Sequence, residues 1–301
     1  MTNTSYDVII IGGSYAGLST AMALGRSLRN VLIIDSGLPC NRQTPQSHNF
    51  ITQDGQEPGV ITQKAKAQVL AYNTVKFLHD LAISGRKIDN GFVITTQSNS
   101  SFQATKLVFA SGMKDIMPDI KGFAACWGIS VIHCPYCHGY EYRGQNTAMI
   151  ANGDRAFHLA SLVSNLTPQL TILTSGKADF KPEQMAKLKH HEIKVIDAKI
   201  TEIEHQNGHL RQIIFEDGKK LAFDVAYGSV PFVQHSDIPA SLGCELTEQG
   251  QIKVDGFQKT TLSGVFACGD SGYMMRTVAS AVFSGNLAGV MVNNELATEQ
   301  F

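Results

Sequence analysis

Six cysteines are spread along the chain, and only two of them stand close enough in sequence to act together. Cys134 and Cys137 sit three apart in His133-Cys134-Pro135-Tyr136-Cys137-His138-Gly139-Tyr140-Glu141. Thiols at this spacing can close a disulfide over one turn or stay paired as thiols, with pKa values of ~3.5–7.5 where a helix N-terminus or a protonated His is near. Pro135 and Tyr136 keep the intervening dipeptide stiff. His138 follows the second thiol directly and titrates near neutrality, so it can stabilise a thiolate or move its proton; Glu141 is a second candidate for that role. The competing readings are a pair of buried thiols and a zinc site. Zinc wants four ligands, usually from a second Cys-x-x-Cys or a paired His. Cys40, Cys126, Cys244 and Cys268 stand singly, and His133, Cys134, Cys137 and His138 are too crowded to wrap one tetrahedral ion. No metal is expected, and redox exchange leads.

Composition narrows where such a pair works. The 301 residues suffice for two domains with a sizeable core, and 43% hydrophobic with 17% charged residues is an ordinary soluble balance. A net charge of −1 gives no electrostatic footprint for nucleic acid or an anionic membrane. No apolar run approaches the ~18–20 residues of a membrane span. The opening Met1-Thr2-Asn3-Thr4-Ser5-Tyr6-Asp7 has no basic leader region, so a reducing cytoplasmic setting is expected, where a Cys-x-x-Cys is more often catalytic than structural.

The elements that position the pair begin with Val8-Ile9-Ile10-Ile11, a β-branched run suited to a central parallel strand buried on both faces. It enters Gly12-Gly13-Ser14-Tyr15-Ala16-Gly17, close to the dinucleotide fingerprint G-x-G-x-x-G with Ser14 at the middle glycine. The first glycine permits the tight turn, the middle position lets backbone approach a pyrophosphate at the helix N-terminus, and the last lets helix and strand pack closely. A helix over 18–29 and a strand Val31-Leu32-Ile33-Ile34 follow, ending in Asp35, placed to bond an adenosine ribose. A helix is expected over 62–72. Val75–Leu78, Gly91–Thr96 and Ser101–Thr105 read as a small antiparallel layer, Lys106–Ala110 as a separate buried strand ending in Ser111-Gly112, and 113–118 as a linker.

Beyond the cysteine pair, Asn146–Ile150, Asp154–Ser164 and Gln169–Leu173 read as a second strand–helix–strand unit. Its turn, Ala151-Asn152-Gly153-Asp154-Arg155-Ala156, keeps only Gly153 and Ala156 of the glycine pattern. The strand after it ends in Thr174-Ser175-Gly176-Lys177, with neither an acid for a ribose hydroxyl nor an arginine cluster for a 2′-phosphate. Near the C-terminus, Gly264–Ala267 reads as a strand running through Cys268 into Gly269-Asp270, with Asp270 able to reach a ligand hydroxyl. The helix expected over 277–292 carries Ala279, Ser280, Ala281, Ser284, Gly285, Ala288 and Gly289. That stripe fits either a flat ligand or partner chain, or simple close packing.

The order of these motifs, with Phe109-Ala110-Ser111-Gly112, Cys134-Pro135-Tyr136-Cys137 and Phe266-Ala267-Cys268-Gly269-Asp270, resembles the low-molecular-weight thioredoxin reductase family over nearly the whole chain. The resemblance implies an α/β protein with two Rossmann-like domains, the second inserted into the first. These are an FAD domain in two segments, 1–115 and 231–301, and a central NAD(P)-binding-like domain, 116–230, bearing the cysteines. It implies a homodimer whose partner is a thioredoxin-like protein or a small dithiol or disulfide. Carried onto this sequence, Gly12, Gly13, Ser14, Ala16 and Gly17 would face the FAD pyrophosphate, with Asp35 and Ser36 at the adenosine ribose. Ala110, Ser111 and Gly112 would lie beside the cofactor, Gly269 and Asp270 at the ribityl chain, and Arg276, Thr277 and Val278 near the isoalloxazine. Cys137 would face the flavin and Cys134 would exchange with substrate. Two features depart from the family. Its NADPH-holding glycine motif and His-Arg-Arg cluster are replaced, which leaves the electron donor open. His138 replaces the acid after the second cysteine, and the run through Glu141 is similar to the dithiol oxidases of the gliotoxin and holomycin type. A flavin dithiol–disulfide oxidoreductase is the leading expectation; an oxygen-using dithiol oxidase and a non-catalytic flavin redox sensor are the alternatives.

Overall fold

A computed structural model describes residues 5–301; Met1-Thr2-Asn3-Thr4, part of the opening read as lacking a leader, lies outside them. The first stretch contains β1 (Ser5–Ile11), α1 (Tyr15–Arg26), β2 (Val31–Asp35), α2 (Pro58–Leu70), β3 (Val75–His79), β4 (Ala82–Ile88), β5 (Gly91–Thr96) and β6 (Ser101–Phe109). Then come β7 (Met113–Asp115), α3 (Phe123–Cys126), β8 (Val131–Ile132), α4 (Pro135–His138), β9 (Thr147–Ile150), α5 (Gly153–Val163) and β10 (Leu170–Leu173). They are followed by α6 (Pro182–His190), β11 (Lys194–Ile196), β12 (Ile200–Gln206), β13 (His209–Phe215), β14 (Lys220–Ala222) and β15 (Val225–Gly228). The chain closes with β16 (Phe232–Gln234), α7 (Ile238–Leu242), β17 (Val265–Ala267) and α8 (Val278–Gln300).

Two compact units result. One comprises the chain up to Arg42, Gln56–Lys114 and Phe232–Phe301; the other comprises Asp115–Pro231 together with Gln43–Gly55. The excursion 43–55 therefore joins the second unit, whereas the sequence division 1–115 keeps it in the first.

In the first unit the strands run in the order β3-β2-β1-β6-β5-β4. The β-branched run of β1 is buried on both faces. Val8 and Ile10 pack with Leu18 and Leu24 of α1 and with Val292 and Leu296 of α8, while Ile9 and Ile11 pack with Phe92, Ile94 and Ile252. The strand β6 is one element rather than two. One edge pairs parallel with β1 over Gln103–Phe109; the other pairs antiparallel with β5 over Ser101–Ala104 and then parallel with β17 over Leu107–Phe109. The C-terminal segment thus completes the sheet that the N-terminal segment begins. The strand β3 belongs to this sheet as well, parallel to β2, and not to a separate antiparallel layer. Its half-exposed alternation is that of an edge strand, which sequence periodicity does not distinguish from an antiparallel one. The 113–118 linker begins with β7, which pairs with β16.

The small residues of α8 serve close packing on α1. A Cβ on Gly285 would lie 2.2 Å from the Ala16 carbonyl oxygen, and one on Gly289 2.7 Å from that of Thr20. The Thr20 hydroxyl donates to the Gly285 carbonyl at 2.9 Å, and that of Ser19 to Val282 at 2.7 Å.

The second unit is built on a parallel sheet, β11-β10-β9-β15-β8, accompanied by the meander β12-β13-β14. Its core joins Phe123, Trp127 and Val131 to Ile203, Ile213 and Phe215 on one side, and Met149 to Ala156, Ala160 and Leu188 on the other. Among the described residues no helix is long and apolar enough to cross a membrane.

Candidate redox site and cofactor cradle

The turn from β1 into α1 is as tight as its glycines require. Gly12 has φ of 107°, and a Cβ there would meet the Ala110 carbonyl oxygen at 2.2 Å; one on Gly17 would meet that of Gly12 at 1.9 Å. Ser14 is the N-cap of α1, and its hydroxyl makes no capping bond. The first-turn N–H groups of a helix are an anion site when no side chain fills it. Asp35, at the end of β2, accepts from Gly13 N–H at 2.9 Å and Gly37 N–H at 3.1 Å, which fixes its carboxylate over the turn. These residues open onto a cleft of about 370 Å³ that gathers Gly12, Ser14, Ala16, Asp35, Ser36, Ala110, Ser111, Gly112, Gly269 and Asp270. Gly13 and Gly17 support the turn instead of lining the cleft. Asp270 pairs with Arg276, whose Nε lies 3.1 Å from Oδ2, and the guanidinium stands 5.5 Å from the Phe232 ring centre. Thr277 caps α8 by accepting from Ser280 N–H, and Val278 opens that helix. A cleft at the strand ends, with an uncapped helix N-terminus and an acid at the second strand, suits a dinucleotide such as FAD.

The equivalent turn in the second unit is closed. Asn152 caps α5, and its carboxamide oxygen accepts from Gly153 N–H at 2.8 Å and from Asp179 N–H at 2.9 Å, while its nitrogen donates to the Lys177 carbonyl at 2.9 Å. Asp154 adds a carboxylate in the first turn of α5, where a pyrophosphate would need the dipole for itself. Beyond β10, Thr174 donates to the Gly176 carbonyl at 2.6 Å, and Ser175 accepts from Ile200 N–H. The adjoining cleft, about 400 Å³, is lined largely by Ile116, Met117, Ile120, Phe123, Ile150 and Val230. This turn fits a pyridine dinucleotide less well than the first: two of its N–H groups, those of Gly153 and Asp179, are taken by Asn152.

Cys134 and Cys137 are joined in a disulfide, with their Cα atoms 5.3 Å apart. Pro135 opens the single turn of α4, Cys134 is its N-cap, and the Cys134 Sγ accepts from Cys137 N–H at 3.2 Å. The approach to the pair is held by an aromatic stack, Phe123 on Trp127 and Trp127 on His133, with centroids 5.7 and 5.8 Å apart. Below it, a Cβ on Gly139 would lie 2.6 Å from the Tyr227 hydroxyl, so glycine lets this loop rest on the end of β15. Tyr136, between the two cysteines, and Tyr140 are exposed.

His138 is half-buried beside the pair. Desolvation holds its pKa below the usual imidazole value, the neighbouring His48 pushes the same way, and Glu141 opposes them. Burial, with the Glu141 charge adding to it, pushes Tyr227 up to about 12. Burial also raises Cys126 and Cys244 and takes Cys268 to about 12, so these three thiols are chemically quiet. Sequence reasoning assigned no role to His48 or Tyr227. Neither stands in a motif, and only tertiary structure brings them to residues 138–141.

A family model described as pyridine nucleotide-disulphide oxidoreductase matches residues 6–285. The chain belongs to that family. As a member it is a flavin-dependent disulfide oxidoreductase, and the cleft of its first unit fits the FAD of such an enzyme. Thioredoxin reductase tcpT of Claviceps purpurea (strain 20.1) is 32% identical over 309 residues, covering 99% of this chain and 96% of the relative. Among solved structures, an oxidoreductase from Agrobacterium tumefaciens is 33% identical with a TM-score of 0.91, covering 98% of this chain and 99% of that one. HlmI is 25% identical with a TM-score of 0.92, covering 98% and 94%.

Proposed function

We propose that this family member takes its electrons from a dithiol through Cys134 and Cys137, with dioxygen as the final acceptor, and that no nicotinamide donates to it. The observation that carries this reading is the Asn152 carboxamide, which satisfies the N–H groups of Gly153 and Asp179 that a pyrophosphate would otherwise take. When bound, FAD supplies the two-electron acceptor. The residues proposed to hold it are Gly12, Ser14, Ala16 and the Ala110-Ser111-Gly112 turn at its phosphates, and Asp35 and Ser36 at the adenosine ribose. Gly269 and Asp270 would meet the ribityl chain, and Arg276, Thr277 and Val278 the ring end. The three segments of the first unit act together as its FAD domain, and the second unit as a dinucleotide-fold carrier for the disulfide.

Within the pair, Cys134 is the exchanging thiol and Cys137 the one that communicates with the cofactor. Donation from Cys137 N–H to the Cys134 sulfur favours the thiolate form of Cys134 after reduction. His138, kept neutral by burial, is the base that takes the substrate proton. The exposed Tyr136 and Tyr140 offer flat apolar contact to a small dithiol, with a thioredoxin-like protein as the alternative partner. A homodimer is supported by Phe283 and Val290, exposed seven residues apart on α8. A reducing cytosol suits the three quiet thiols.

The test is an anaerobic spectral titration of the yellow protein. Bleaching by a dithiol with no bleaching by stoichiometric NADPH is expected. Full bleaching by NADPH would return the chain to an ordinary reductase, and bleaching by neither would make it a sensor.

A further inference from the structure

The excursion 43–55 precedes the disulfide by some eighty residues of chain yet packs with the unit that carries it. It is tightly folded. Gly55 N–H donates to the Ser47 carbonyl at 2.9 Å and Asn49 N–H to Asp54 Oδ1 at 2.8 Å, while Asn49 and Thr52 hold left-handed φ values of 58° and 73°. Such values are uncommon outside glycine and persist where surrounding structure imposes them. Their result is to set the His48 ring between two carboxylates. Nδ1 lies 3.5 Å from Asp54 Oδ2 and Nε2 lies 3.6 Å from Glu141 Oε1, with the imidazole only 16% exposed. These are ion-pair distances rather than good hydrogen bonds, so the arrangement couples charges more than it passes protons directly. The described residues contain no group of three or more His, Cys, Asp or Glu placed to hold a metal ion, which removes a metal reading of Asp54, His48 and Glu141.

We propose that His48 is a positioning residue of the thiol site, acting with Asp54 and Glu141 to set the proton affinity of His138. This rests on the dithiol reading above. A substrate thiol gives its proton to His138; its sulfur bonds to the Cys134 sulfur as the Cys134–Cys137 bond breaks, and His138 returns the proton to the Cys137 thiolate. The second substrate thiol, deprotonated in turn, displaces Cys134, which takes up that proton. The substrate leaves as a disulfide, and the enzyme holds two thiols and the electron pair.

The charged groups that act on His138 are His48 from 43–55 and Glu141 from its own loop; Asp54 pairs with the other ring nitrogen of His48, and Tyr142 and Tyr227 feel the charge of Glu141. The two histidines share one carboxylate. At His138 the two neighbours act with opposite sign, His48 against a proton and Glu141 for it; without His48, Glu141 acts on His138 unopposed and holds a proton on it to higher pH. The excursion 43–55 thus supplies one of the two charges that act on His138, from a stretch that does not adjoin it in sequence.

The test uses the full chain with His48→Gln, Glu141→Gln and Asp54→Asn, the last leaving the His48 ring in place. One readout is the His138 ring titration by NMR in the oxidised protein. The other is the pH profile of Cys134–Cys137 reduction by dithiothreitol, with new thiols counted by alkylation and mass spectrometry. His48→Gln is expected to move the His138 titration and the acid limb of the profile up by about 0.5–1 unit, and Glu141→Gln to move both down by a similar amount. Asp54→Asn should shift both upward by less, and thermal unfolding should be unchanged in all three. Shifts of one sign for His48→Gln and Glu141→Gln, or none, overturn the proposal. A pair that dithiothreitol does not reduce even in the unaltered protein would instead defeat the dithiol reading, and the NMR titration would still decide the role of His48.

Discussion

The two strand–turn–helix units of this chain share a backbone plan and differ in what meets the helix N-terminus. At α1, Ser14 leaves the first-turn N–H groups uncapped and Asp35 stands over the turn. At α5, Asn152 reaches into the same place, closes it against Gly153 and Asp179, and ties it to Lys177. The packing that makes the turn is thus separate from the donors that would make the site, and one carboxamide takes two of those donors without disturbing the packing; the proposed loss of nicotinamide rests on that difference.

The largest expected effect comes from testing the turns in parallel. Gly17→Val would push a side chain into the Gly12 carbonyl and should lower bound flavin at least tenfold, about 1.4 kcal/mol or more, read from flavin absorbance per protein. Gly153→Ala meets nothing closer than the Asp179 carbonyl oxygen at 3.3 Å, so its flavin content should match that of the unaltered protein. Its positive φ should still destabilise the fold by about 1 kcal/mol. Equal flavin loss in both variants would erase the contrast.

Asn152→Gly sharpens it. Removing the carboxamide should cost about 1–2 kcal/mol in chemical unfolding from the lost hydrogen bonds. It should also allow weak NADPH binding, with a Kd on the order of 1 mM, seen as flavin bleaching at millimolar but not micromolar NADPH. No response at any concentration would mean that the turn alone does not explain the closed cleft.

The smallest effect is a pH dependence. His138 is held below its usual pKa when folded, so the unfolded chain binds the extra proton first as pH falls. Its contribution to stability is level above ~6.5 and declines below that value. His138→Gln should flatten the fall in thermal midpoint between about pH 6.5 and 5 without altering the midpoint at pH 8.

Much of this was legible because it is local. The β-branched run, the glycines and Asp35 lie within some thirty residues, where the helix and strand periods speak directly. Cys134 and Cys137 were marked by spacing alone. The packing role of the small residues on α8 was one of two open readings, decided by the approach of Gly285 and Gly289 to α1. What the sequence hid is tertiary. Asn152 is visible in its turn, but its bond to Asp179 depends on a loop folding back over it. His48 sits in a polar stretch with no motif, and nothing in its neighbours points to Glu141. The strand β3 misled because an edge strand and a member of an antiparallel layer expose side chains with the same period.

The shared edge of β6 has a consequence for how the molecule is born. Leu107–Phe109 waits for Val265–Ala267, a partner that leaves the ribosome only after the entire inserted unit has been made. Throughout that interval the first unit has part of a sheet edge unpaired and lacks α8 to cover α1, so it is open to mispairing. The inserted unit, whose own sheet is drawn wholly from 131–228, faces no such delay. Synthesis therefore favours a nascent chain in which the thiol-bearing unit matures first and the β1–α1 cleft last, so the proposed cofactor site is completed only as translation closes.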